Sequence, residues 1–514
     1  MQYGPSPQKL ATTALIVAFA VLSTAQVNAQ DTSPGELTSP RGGGYAGGEA
    51  TFGKLDEDFF LGVNLVWAFR LQVPKAFCHG YFPIDGEEAD APSPGVDGGA
   101  DAGLDKDKKN DECRTDLTTG FRVPLRFRIV DRAPKDEGLV RSEDWDEVGD
   151  YLKIVRFVEY GHKREPLHLR VGELGGVVIG HGTIMNRYFN VIDVDHYQLG
   201  FTGDLNSRHG GIELVLDNFI DPEVMGYRVY ARPITFVEPS SWWTRWAVGT
   251  SLLLDVDAPT GFERINVLED DGMPFAVDDA GRLVPSKTEV TGVFGIDNEL
   301  LLIQEPLVDF IPYLDINFSL DGSPGAHLGA LTNLRPAESF SLYSRLELRW
   351  VGENYIPDYF SSLYEIERDA FFGWQGGGAP KLTVLRNQDR GSVFGAYGEL
   401  TFDFIGLAQI TGAYEDYQGP ENASLLLRAQ LPRIGPVVLG ALYRKTGFDG
   451  IDNAFELKDA LLVAEARYFV TNWVYLLAQW SRLWRLKDGA DLQDDNPYRT
   501  VDNWFIGGGV AVGF

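Results

Sequence analysis

The C-terminal stretch, Asp502 to Phe514, constrains this chain more than any other. Trp504, Ile506, Gly508, Val510, Val512 and Phe514 follow a strict period of two and end on an aromatic, while Asn503, Phe505, Gly507, Gly509, Ala511 and Gly513 are mostly small. Such a strand has one apolar face and an inner side suited to crowded or watery space. A sheet that ends in mid-strand needs a partner for its edge, and closing on the first strand supplies one.

The same alternation recurs along the chain. Phe59, Leu61, Val63, Leu65, Trp67, Phe69, Leu71 and Val73 put eight apolar positions on one face, which makes 59–73 the expected closing partner of the last strand. Further strand-like runs include Phe121 to Ile129, Lys153 to Tyr160, Leu167 to Val171, Val224 to Pro233, Trp242 to Val256, Phe340 to Val351, Val393 to Phe404 and Trp473 to Arg485. Connection lengths alternate as well. Thr471-Asn472, Pro432 to Pro436 and Ile405-Gly406 are tight, whereas Gly352 to Gly391 and Leu486 to Val501 are long. Long loops on one rim and short turns on the other belong to a membrane barrel.

In its terminal strand and closing Phe, the chain resembles the Gram-negative outer-membrane β-barrels. The resemblance implies a porin-like architecture located in the outer membrane. It also implies that Trp504, Ile506, Val510, Val512 and Phe514 form the signal read by the barrel assembly machinery. The fold class is therefore all-β, a transmembrane antiparallel barrel of about 18 strands within a range of 16 to 20.

The N-terminus fits export. Lys9 precedes an apolar run from Leu10 to Leu22, and Val27-Asn28-Ala29 is a small-residue cleavage pattern, so 1–29 reads as a signal peptide. The Gly- and Pro-rich 30–54 reads as a flexible periplasmic lead-in, and 55–514 as the barrel. The long outside loops are expected at 74–116, 257–288, 352–391 and 486–501. No apolar stretch approaches the twenty residues of a spanning helix. Removing Lys9 takes the formal charge from −29 to −30, which excludes a nucleic-acid partner. The expected partners are outer-membrane lipid and lipopolysaccharide, with a second copy of the chain or a periplasmic protein as further candidates. Cys78 and Cys113 share one acidic exported segment and are expected to form a disulfide.

On the inward faces the pattern places Arg122, Arg126, Arg128, Arg228, Arg232, Arg245, Glu399 and Asp403, since arginine cannot face lipid cheaply. In an open pore these residues would line the passage and set ion preference. The alternative for the same residues is a ladder of cross-strand ion pairs bracing the wall. No cofactor or metal site emerges: Asp105 to Asn110 lacks the glycine of a calcium loop. There is no G-x-S-x-G and no H-E-x-x-H, so an enzyme is not expected. His181 in "GHGT", with Asp195 and His196 nearby, leaves a hydrolase as the minor reading. Tyr355 to Trp374 is too aromatic for a solvated loop and is expected to fold back into the mouth or lumen, or to form a sticky surface. The function expected from architecture is a porin-like channel for small hydrophilic solutes or ions. The rival is a non-conducting barrel serving a surface machine for polysaccharide export, adhesion or motility.

Overall fold

The computed structural model describes residues 43–55, 58–76, 114–130, 138–141, 144–145, 151–163, 165–191, 198–263, 275–276, 283–337, 339–375, 377–387, 391–404, 407–457, 460–486 and 498–513. The signal segment, Cys78, Cys113, Asp195, His196 and Phe514 lie outside them.

The strands are β1 (Gly43–Leu55), β2 (Asp58–Pro74), β3 (Arg114–Val130), β4 (Val155–Tyr160), β5 (Leu167–Gly172), β6 (Gly200–Asn206), β7 (Gly210–Leu216), β8 (Val224–Ala231), β9 (Trp246–Phe262) and β10 (Pro285–Leu300). They continue with β11 (Ile303–Gln304), β12 (Val308–Ser319), β13 (Pro324–Ala337), β14 (Phe340–Val351), β15 (Val393–Phe404), β16 (Ala408–Tyr417), β17 (Ala423–Ile434), β18 (Val437–Phe448), β19 (Ala460–Phe469), β20 (Val474–Leu486) and β21 (Tyr498–Gly513). Each pairs antiparallel with its neighbour, and β1 pairs with β21 from Tyr45↔Gly513 to Lys54↔Trp504, so the sheet closes. The two-residue β11 only extends the hairpin between β10 and β12. Twenty strands among the described residues therefore make the wall, at the upper end of the expected range.

Alternation has the consequence the sequence promised. On β14, Leu346 and Leu348 face outward and are exposed, while Arg345, Glu347 and Arg349 face inward and are buried. On β21 Ile506, Val510 and Val512 face out, whereas Gly509 faces a crowded interior, its site for a Cβ lying 2.5 Å from the Tyr475 ring. A closed sheet satisfies its backbone internally, and an apolar exterior lets it sit in lipid. No helix of the described residues is long and apolar enough to cross a membrane.

Two expectations change. The closing partner of β21 is β1, built from the second half of the expected lead-in, and 59–73 forms the next strand. After β5 the chain leaves the wall and turns inward over Gly176 to Thr183. The connection between β2 and β3, expected outside, leaves from the rim that holds both chain ends, because β2 runs back toward that rim from the β1 hairpin. The tight connections 338–339, 405–407 and 435–436 share this rim, and the connections 263–284, 352–392 and 487–497 leave from the opposite one.

Candidate functional site

Two connections from the outer rim, 173–199 after β5 and 352–392 after β14, supply the contents of the lumen. They join each other first. Asn186 N–H donates to Phe360 O at 3.0 Å and Phe360 N–H to Ile184 O at 3.0 Å, in a parallel bridge centred on Met185 and Phe360. Around it Ile184, Met185, Tyr188, Tyr355, Phe360 and Tyr364 bury completely or nearly so, forming one apolar core with Val215, Val224, Leu253 and Val293 of β7 to β10. The aromatic stretch expected to fold into mouth or lumen does so. Its composition is the reason: in water it would expose aromatics worth roughly 2 kcal/mol each on burial.

The inward fold meets the wall on several sides. Toward β9, Tyr364 OH donates to Asp255 at 2.6 Å and Thr383 Oγ1 to Thr260 O at 2.9 Å. Toward β10 and the β12 hairpin, Arg386 reaches Glu289 at 2.5 Å and Asp321 at 2.7 Å. Toward β20 and β21, Phe372 packs edge-on against Trp484 and Tyr498, with centroids 5.2 and 5.1 Å away. Leu363 and Ala370 join Leu461, Leu483 and Val501 there in a second apolar cluster. Trp374 packs at a tilt against Tyr417 of β16, the ring centroids 4.8 Å apart. Inside the plug Lys381 is buried against Tyr359, Tyr364 and Phe371 and donates to Glu367 at 2.7 Å. Burial lowers the Lys381 pKa, and Glu367 works against that.

The "GHGT" turn carries the polar seam. Gly180 (φ +58°) and Gly182 (φ +81°) adopt left-handed backbone. A Cβ on Gly182 would lie 2.7 Å from the Arg345 guanidinium and one on Gly180 3.1 Å from Arg228, so both glycines also admit the wall arginines. Between them His181 lies on the Tyr313 ring at 4.0 Å, with Nδ1 2.9 Å from Asp315 and Nε2 2.8 Å from Glu299. Burial lowers its pKa, but Asp315 and Glu299 outweigh that and raise it to about 10. Two carboxylates on opposite ring nitrogens favour the protonated imidazole. Thr183 Oγ1 donates to Asp315 at 2.8 Å, and Asn317 Nδ2 donates to Thr183 Oγ1 at 3.1 Å and to Tyr355 OH at 3.0 Å.

The wall residues singled out from sequence separate into groups. Arg228 bonds Asp297 at 2.6 and 3.0 Å and Glu213 at 2.8 Å; Arg128 bonds Asp58 at 2.8 Å; Arg126 pairs with Asp144 at 2.5 Å. Glu399 accepts from Tyr397 OH at 2.6 Å and pairs with Arg187 of the inward connection. Arg232 donates to Ser207 O at 3.0 Å near the rim of the chain ends. Asp403 stands opposite Gln409 toward that rim. Arg245, expected on the wall, instead ends the short 3-10 turn Trp242–Arg245 before β9. Arg122 faces inward and makes no side-chain hydrogen bond or ion pair among the described residues. Arg349, which the alternation of β14 also places inward, bonds Glu347 at 2.5 Å, Glu415 at 2.8 Å and Tyr417 OH at 2.7 Å, with Asp358 at 3.4 Å. Among the described residues no group of three or more His, Cys, Asp or Glu side chains could hold a metal.

No protein-family model and no curated protein matches the chain. Among solved structures, Pseudomonas aeruginosa OccK5 (OpdH) is similar at 9% identity and TM-score 0.32 over 92% of this chain and 98% of that one. P. aeruginosa OccD3 (OpdP) is similar at 7% identity and TM-score 0.30 over 95% of each chain. Wzi, an outer-membrane protein involved in group 1 capsule assembly in Escherichia coli, is similar at 8% identity and TM-score 0.27 over 100% and 90%.

Proposed function

We propose that this outer-membrane barrel is a plugged, non-conducting component of a surface machine, and that it works by binding partners at its two rims. One observation carries the reading: the inward-folded connections build two apolar clusters, one anchored to β7–β10 and the other to β19–β21, so the fold is held to the wall on two sides. A constriction that left an aqueous path would keep polar groups wet. Here Arg349, Tyr188, Tyr364 and Lys381 are buried to within 1%.

The test is conductance of the purified full chain in planar bilayers. Insertion with no steady current is expected. A variant in which 354–387 is replaced by a short Gly-Ser linker is expected to open large, ohmic steps, which also proves that the barrel inserts. A steady current from the wild-type chain would overturn the reading.

The second reading, porin-like passage of small hydrophilic solutes or ions, is favoured by Arg122, an inward arginine with no ion pair among the described residues. On that reading the current would be anion-selective, and Arg122→Gln would move the reversal potential toward cations.

A further inference from the structure

On the rim of the chain ends the connections 207–209, 338–339, 405–407 and 435–436 are two or three residues long, but β8 and β9 are joined by 232–245, which folds into the helical turn Ile234–Val237 and the 3-10 turn Trp242–Arg245. Its apolar side chains do not turn inward. Phe236, Val237, Trp242 and Trp243 are all more than a third exposed, and so are Leu302 and Leu307 of the neighbouring β10–β12 connection. The two connections are joined by Leu301 N–H donating to Arg245 O at 3.3 Å. The shape is held. Arg208 donates to Pro239 O at 2.9 Å, His209 stacks on Phe236 at 4.6 Å, and Thr235 Oγ1 lies 2.8 Å from His209 Nδ1.

We infer that the β8–β9 connection is an interfacial anchor whose occupant is phospholipid of the periplasmic leaflet. Continuity carries the choice. The outward face of β8, with Tyr227 and Val229 exposed to lipid, runs directly into this connection. Tryptophan pairs and apolar tips at the end of a lipid-facing band settle at headgroup depth, where the ring is buried and the indole N–H stays wet. Of its charged residues Arg232 is turned to Ser207 O and the Tyr230 ring, which leaves Arg245 and Glu238 to cancel, so the segment offers lipid an apolar surface of little net charge. The anchor lies in a connection, separate from the aromatic positions on the strands themselves.

The experiment places the full chain in nanodiscs of phosphatidylethanolamine and phosphatidylglycerol, with or without acyl chains brominated near the headgroup. Fluorescence of the wild type minus that of Trp242→Phe/Trp243→Phe isolates these two rings, and the single variants serve if the double one does not show heat-modifiable folding. The expected difference spectrum is blue-shifted, loses about half or more of its intensity to brominated lipid, and resists soluble acrylamide. A red-shifted spectrum quenched by acrylamide and indifferent to bromine would overturn the anchor and leave the surface facing the periplasm, open to a protein partner.

Discussion

Arg349 and Arg482 show how differently one residue type counts by place. Arg349 is fully buried among Glu347, Glu415 and Asp358, so removing its charge leaves carboxylates without compensation in a dry site. Arg349→Gln is expected to weaken the folded state by about 3 kcal/mol or more, read as a lower denaturant midpoint. Arg482 pairs with Asp502 at 2.6 Å where both are partly solvated. Arg482→Gln is therefore expected to change stability by no more than about 0.5 kcal/mol in the same measurement. His181 adds a pH dependence. Its folded pKa of about 10 lies above its ordinary 6.5, so its stabilisation is complete below about pH 6.5 and is lost as pH rises through about 10. Asp217, in the connection after β7, is pushed up by burial and Glu365 to about 7, so its contribution is likewise lost as pH rises through that value. Wild-type stability should thus fall through Asp217 between about pH 4 and 7 and through His181 between about pH 6.5 and 10, and His181→Gln should show a shallower decline over the upper range.

The strands divide into those whose pattern reveals them and those whose packing hides them. β14 and β15 alternate so cleanly that their inward charges could be named from sequence. β1 reads "GGYAGGEATFGKL", which resembles a linker. Its glycines serve contact instead: a Cβ on Gly53 would lie 2.5 Å from the Phe505 ring of β21. Close approach of the closing pair, rather than chain flexibility, accounts for that composition. Because the seam joins the two ends of the chain, disturbing β21 should prevent closure. Phe514→Asp is expected to deplete the heat-modifiable folded form, measured by gel migration with and without boiling. Normal folding would remove the basis for reading the terminal strand as an assembly signal.

Seen whole, the molecule is a wall of one sheet around a second, much smaller core. The wall satisfies its backbone by closing and its exterior by lipid, and inward charges such as Arg228, Arg349 and Glu399 find partners on neighbouring strands or on the inward-folded connections. The connection holding Cys78 and Cys113 leaves from the rim of the chain ends. Both cysteines remain in an exported segment, so an intramolecular disulfide is expected from non-reduced peptide mass spectrometry, and two free thiols would refute it. The barrel should survive replacement of both by Ser, since β2 and β3 pair from Phe59↔Val130 to Pro74↔Arg114 without help from a covalent link.

By itself the sequence determined most of the strands after β1, their two faces, the lipid-facing band and inward arginines such as Arg126, Arg128 and Arg228, because a side-chain period of two is written locally and a membrane rewards it at every second position. It also marked Tyr355 to Trp374 as too aromatic for a solvated loop. Only the tertiary structure decided which acid meets which base and that this stretch packs inward against the wall. His181 and Asp315 stand 134 residues apart, and Tyr188 and Glu365 are 177 apart. Alternation assigns a face but neither a height along the barrel nor the connection that folds against it, so an arginine that would line a pore and one that braces a plug look the same until the chain has closed.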